Sequence, residues 1–389
     1  MILKKDYDLV VVGKSYLHYI YALEALKENS NVLLLEDDRL SFGDLYNYGI
    51  GDLEYSYLVT LGNDRDIAPL RELSCYLSEK TIHFHWEGKR VVLGADPWDN
   101  LKELSRKFST FFPFADYINE NDSYSFNLEF KTYVKLLGKS SYRFKMIQNV
   151  SMEYFFKTCP TMIKKLYESF KECLDKDDEN SKPFLYFFRG YYHKFYSSAH
   201  PDYEIFHLFI QLLSKHYIID QDKLMSDLTP VLIGFGGDYK ETRIQDWKFY
   251  KSRPWSLELS SFEGIIHPEK IVFLGCDPRK LSLRANCKEP LYQSVHFRCS
   301  IEDSRLAFFD DSIIVQGDRK YMGGSIPAWQ FEIKDGDLVG FCAFRKNRGS
   351  KVSFVEEELK RWLEAELDKW LPNLSVSLID DVDFHLGQE

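Results

Sequence analysis

The first forty residues set the tightest limit on how this chain can fold. Asp6 to Gly13 reads Asp-Tyr-Asp-Leu-Val-Val-Val-Gly, an apolar run rich in β-branched residues that ends on glycine. A strand covered on both faces has no polar side, so such a run suits a central parallel strand. From Tyr16 to Asn29, Leu17, Ile20, Tyr21, Leu23 and Leu26 recur at roughly helical spacing. Asn31 to Leu35 is a second apolar run, closing on Glu36, 23 residues after Gly13. Strand, glycine turn, helix, strand and terminal acid form the layout of a dinucleotide-binding βαβ unit.

The loop inside that unit departs from the pattern. Its fingerprint uses one glycine for the tight turn, a second for close approach of the backbone to a pyrophosphate, and a third for helix–strand packing. Here the loop is Gly13-Lys14-Ser15-Tyr16-Leu17-His18, so only the first glycine is kept. Ser15 is small and its hydroxyl could donate to a phosphate. An imidazole at His18, where the third glycine belongs, should push the helix off the strand or turn outward. Two readings follow: a cofactor site with a changed loop, or a βαβ unit that keeps its fold without its cofactor.

With 389 residues the chain can form two domains or one elaborated α/β unit. A net charge of −10 argues against nucleic acid as the main partner, because phosphate binding needs a concentrated basic surface. The basic cluster Arg345 to Lys351 reads as a solvated loop. No apolar run reaches the roughly 18 residues of a membrane span, and Met1 to Lys5 is too short and polar for a signal peptide. The seven cysteines are scattered, without a Cys-x-x-Cys pair. That usage fits reduced thiols in a cytoplasmic protein better than a disulfide framework or a zinc site. His83 and His85 share one face of an expected strand, but no third ligand of suitable spacing accompanies them, so no metal is expected. Aromatics make up 16% of the chain, which suits an aromatic-rich core or the wall of an apolar cavity.

Beyond Glu36, a polar loop carrying Arg39 and Gly43 leads into Asn47 to Gly51. A helical pattern covers Arg65 to Glu79 through Ile67, Leu70, Leu73 and Leu77. Thr81 to Trp86 and Lys89 to Leu93 flank Glu87-Gly88 as a hairpin. Asp96-Pro97-Trp98 then opens a helix to about Phe108, with proline at its first position. In this order and spacing the chain resembles the FAD-dependent amine oxidase and phytoene desaturase superfamily, a Rossmann-like FAD/NAD(P)-binding fold. There, an acid ending the second strand is followed by an arginine and a glycine pair that wrap the cofactor; Glu36, Arg39 and Gly43 match, while the glycine doublet is absent.

The resemblance implies an α/β fold: a Rossmann-like dinucleotide-binding layer, discontinuous in sequence, with a helical insertion and an antiparallel-sheet substrate-type domain. Its parts are expected at residues 1–112 and 230–290, 113–229, and 291–389. In the insertion, helices are expected around Met152 to Thr158, Met162 to Leu174 and Ile205 to His216, with an aromatic run from Phe184 to Tyr196. Pro230 to Gly237 reads as an apolar strand ending in glycines. Lys270 to Gly275 reads as the strand that returns the chain to the nucleotide-binding sheet. Ser294 to Cys299, Leu306 to Phe309, Ser312 to Gln316, Ala328 to Ile333 and Leu338 to Phe344 alternate as an antiparallel sheet would. Val355 to Trp370 has a strong amphipathic helical pattern. Members of the superfamily continue into a strand and helix whose Gly-Asp motif contacts the flavin. Only residues 373–389 follow Pro372, with Gly387 their sole glycine, so this contact is expected to be missing.

The resemblance leaves two functions open. In a flavin-dependent oxidoreductase acting on an apolar substrate, Gly13 and Ser15 would face the FAD pyrophosphate at the helix N-terminus, and Glu36 would hold the adenosine ribose. The alternative is a flavin-fold protein with weakened or lost flavin binding that acts on a protein partner or apolar ligand, as the Rab GDP-dissociation inhibitors of the same superfamily do. The two changed loop positions and the short C-terminus favour the second; Glu36 and the element order favour the first. A nicotinamide-dependent dehydrogenase fits the hairpin and sheet layout less well. Lys14 beside the turn could offer charge to a phosphate or be an ordinary solvated lysine.

Overall fold

The computed structural model describes residues 6–28, 30–37, 50–86, 89–108, 118, 122–143, 157–175, 206, 209–250, 253–260, 265–273, 292–300, 313–316, 328–334, 337–345, 361 and 385–388. The chain is a mixed α/β protein built on a six-stranded sheet. β1 (Asp6–Val12) lies at its centre, and β2 (Val32–Glu36) pairs with it in parallel after helix α1 (Tyr16–Leu26). Val10, Val11, Val12 and Leu33 to Leu35 are wholly buried, as strands covered on both faces require.

The other two parallel strands come from much later in the sequence. β8 (Asp238–Glu241) joins the free side of β2, and β11 (Ile265–Phe273) joins that of β1. The layer is therefore discontinuous, and the expected return strand is found, beginning earlier than its apolar core. β9 (Ile244–Tyr250) and β10 (Arg253–Leu259) extend the sheet antiparallel beyond β11. One sheet face packs Leu9, Val11 and Leu34 against α1 and helix α7 (Gln221–Gly234). The other packs Val10, Val12 and Leu35 with Ile244, Leu257 and Ile266.

Two segments differ from their periodicity. In place of one helix over Arg65 to Glu79, the chain forms α2 (Asp52–Arg65), the short helix α3 (Ala68–Arg71), a 3-10 turn at Leu73–Tyr76 and β4 (Leu77–Lys80). Asp66 ends α2 in the left-handed region with φ 57°, and β4 is drawn out of helix by pairing with β7 (His216–Ile219). β7 also takes over the end of the expected Ile205 to His216 helix and pairs with β3 (Ile50–Gly51). Pro230 to Gly237 is not a strand. Asp220 caps α7 by accepting from the Lys223 N–H at 3.1 Å, and Leu224, Leu228 and Leu232 form a buried row that carries the helix through Pro230.

The hairpin β5 (Ile82–Trp86) and β6 (Lys89–Leu93) forms as expected, and α4 (Pro97–Lys107) follows with the Asp99 N–H donating to Asp96 at 3.3 Å. Helix α5 (Ser123–Arg143) has no counterpart among the expected elements; α6 (Thr161–Asp175) does. α5 lies so close to α2 that a methyl group at Gly138 would meet the Ser56 side chain at 2.7 Å. The sequence-distant strands β12 (Tyr292–Ser300), β13 (Ile313–Gln316), β14 (Ala328–Lys334), β15 (Asp337–Arg345) and β16 (His385–Gln388) form a second sheet. Its order is β16-β12-β15-β14-β13-β5-β6, so the hairpin is part of it through a parallel β5–β13 pair. The Phe184 to Tyr196 run, Leu306 to Phe309, residues 152–156 and all but Arg361 of Val355 to Trp370 lie outside the described residues. Among the described residues no helix is long and apolar enough to cross a membrane.

Candidate functional site

The ends of β1 and β2 place the expected site residues side by side. The Gly13 N–H donates to the Leu35 carbonyl at 3.0 Å, so the turn after β1 is held against the last residues of β2. Ser15 is the N-cap of α1, in extended backbone. Glu36 ends β2, and Lys14 is close enough to favour its charged form. Arg39 and Gly43 lie outside the described residues.

His18 neither displaces the helix nor turns outward. It is 1% exposed, and its imidazole folds back onto the glycine turn. A methyl group at Gly13 would lie 1.6 Å from His18 Nε2, so the ring occupies the volume that the absent Cβ leaves. Gly13 sits at φ +154°. His18 Nδ1 is 2.8 Å from Ser15 Oγ and 3.0 Å from the Ser15 carbonyl oxygen. The Ser15 hydroxyl is therefore engaged by an imidazole, and a side chain packs directly against the glycine turn.

Glu36 is enclosed in the same manner. The Tyr19 hydroxyl, one turn along α1, donates to Glu36 Oε1 at 3.0 Å and lies 2.9 Å from Thr229 Oγ1 on α7. The Tyr239 hydroxyl on β8 bonds the same carboxyl, and the two tyrosine rings stack at 6.2 Å. Thr229 Oγ1 also donates to the Met225 carbonyl at 2.9 Å. Burial pushes the Glu36 carboxyl above its ordinary range, only partly opposed by the two tyrosines and Lys14. Burial, with Glu36 nearby, pushes the Tyr239 phenol up to about 12.

Between α1, β8 and α7 a cleft of about 460 Å³ opens beside this cluster, lined among others by Lys14, Tyr19, Glu36, Asp222, Thr229 and Tyr239. Its lining does not include Gly13 or Ser15. Immediately after Glu36, Asp37 is wholly buried and accepts from the Ile244 N–H at 2.7 Å, tying the end of β2 to β9. Tyr19, Tyr239, Thr229 and Asp37 are the residues that sequence patterns did not bring to the site; His18 was expected in the loop, but not folded back onto Gly13. His18 stood within the motif, and Tyr19 was hidden among the apolar positions of α1. Tyr239 and Thr229 come from elements with no motif at all. On β5, His83 is buried with Nε2 3.3 Å from Thr81 Oγ1; among the described residues no group of three His, Cys, Asp or Glu side chains could hold a metal.

No family model and no curated protein matches this sequence. Solved structures are similar in fold. One is a peptidyl tryptophan dihydroxylase essential for tryptophylquinone cofactor biogenesis, 10% identical at a TM-score of 0.44 over 98% of this chain and 56% of that one. Another is the Rab GDI from Plasmodium falciparum, 10% identical at a TM-score of 0.47 over 99% of this chain and 90% of that one. A third is the glycerol-3-phosphate dehydrogenase from Bacillus halodurans complexed with FAD, 11% identical at a TM-score of 0.43 over 98% of this chain and 57% of that one. This chain thus spans little more than half the length of the dihydroxylase and the dehydrogenase.

Proposed function

We propose that this chain is a divergent member of the FAD-dependent oxidoreductase fold in which flavin binding is weakened or lost, and that it acts by binding a protein or an apolar ligand. The observation that carries this is the His18 imidazole seated on Gly13. A pyrophosphate needs that turn open so that backbone N–H groups can reach it; here the ring takes the space and also holds the Ser15 hydroxyl. Glu36, the expected ribose partner, already accepts from the Tyr19 and Tyr239 hydroxyls. The residues present do not fit the cofactor, and no redox step is assigned to them. The division at residues 1–112 with 230–290, 113–229, and 291–389 is proposed on the same footing, with the Ile82–Leu93 hairpin seated in the sheet of the last part.

The test is an absorption spectrum of the purified protein before and after incubation with excess FAD and desalting. A colourless protein that returns colourless is expected. Flavin bands retained after desalting would support the second reading, an active FAD-dependent oxidoreductase on an apolar substrate, which the intact β1-α1-β2 order favours.

A further inference from the structure

The outer face of α5 takes no part in the site. Phe126, Phe130, Tyr133, Val134 and Leu137 on its inner face are buried, which fixes the opposite face toward solvent. There Tyr124 is 75% exposed, Leu128 54% and Leu136 40%. Thr132 falls between them with its hydroxyl already bonded to the Leu128 carbonyl at 2.7 Å. Lys131, Lys135 and Lys139 are exposed along the same stretch, and the only acid within the helix is Glu129. At 100° per residue, Leu128 falls between Lys135 and Lys139 on the helical wheel, so cations and apolar groups interleave across one surface about 22 Å long.

We propose that this face of α5 docks on the surface of a bilayer containing anionic lipid. Charge complementarity selects that occupant. The chain carries a net charge of −10, yet this helix face is basic, which is how an acidic protein can present one surface to a negative membrane. Lysine is depleted from protein–protein interfaces, where its ammonium would lose water. At a bilayer surface the ammonium stays hydrated among headgroups while its stem and the neighbouring leucines lie against apolar chains. Tyr124, at the N-terminal end, adds a ring with one apolar and one wet side, the kind that collects at that boundary.

Lys131 also offsets the buried charge of Asp52, so the test uses Lys135 and Lys139. The full chain is sedimented with phosphatidylcholine vesicles, with and without phosphatidylserine, at low and high salt. Binding to the phosphatidylserine vesicles alone is expected, weakening with salt. The K135A/K139A variant should lose about thirtyfold in partition, at the usual contribution of a lysine near an anionic surface. The L128S/L136S variant, changed only at exposed positions and with unaltered circular dichroism, should lose the binding that survives high salt. Equal binding to both vesicles, binding to neither, or a K135A/K139A variant that partitions like the wild type would overturn the proposal.

Discussion

His18 and Gly13 share one volume, and that sharing is measurable. With a methyl group placed 1.6 Å from Nε2, the G13A variant must expel the imidazole or shift the turn, at a cost of about 2–3 kcal/mol. In the H18A background the obstruction is gone, so the same change should cost at least about 1 kcal/mol less. Urea denaturation of both single variants and the double variant reads this coupling, and strictly additive effects would show that the ring does not sit on the turn. Glu36 gives a second prediction. Its folded carboxyl binds a proton more tightly than the unfolded one, because burial raises it above the ordinary 4.5. The native state therefore holds more protons in the window above that value, and its contribution to stability falls as pH rises through it. Asp52, raised mainly by burial, acts in the same direction. E36Q keeps the shape and the acceptor oxygen but has no charge to desolvate. Its urea midpoint should fall less than that of the wild type between pH 5 and pH 7.5; an equally steep fall would place Glu36 in water.

At the scale of elements, α7 shows how local pattern and tertiary contact compete. Val231-Leu232-Ile233-Gly234 behind a proline has the composition of a strand, yet the Asp220 cap and the Leu224, Leu228, Leu232 row hold it in helix. Pro230 cannot supply the N–H that a helix interior expects. Because Pro230 is exposed, P230A should stabilise the protein by about 2 kcal/mol, with the thermal midpoint as readout; a lower midpoint would mean that the proline ring is itself needed in the packing. β1, β2, the β5–β6 hairpin and α4 were legible because their signals are local: continuous apolar runs, a tight turn, Asp96 with Pro97. α2 was not, since Asp52-Leu-Glu-Tyr-Ser-Tyr carries little apolar periodicity and is fixed by contacts with α5 and by Glu54 accepting from the Gly51 N–H at 3.1 Å. The break between α3 and β4 depends on β7, far along the chain, which no local window contains.

For the whole molecule, the discontinuous sheet was readable in part: β1, β2 and β11 carry apolar runs of their own, whereas β8, Asp-Tyr-Lys-Glu, carries none, and the side chains gathered around Glu36 were not readable. Gly13 follows β1, Ser15 caps α1 and Glu36 ends β2, while the contacts around Glu36 depend on where β8 and α7 return. Tyr239 and Thr229 reach Glu36 only because β8 pairs with β2 and α7 packs on α1. The central claim is that these contacts and His18 have closed the dinucleotide site. Titrating FAD fluorescence with the wild-type protein tests it most directly: no saturable change up to concentrations far above those of an ordinary flavoprotein site is expected. Saturable, stoichiometric quenching in the micromolar range would contradict it.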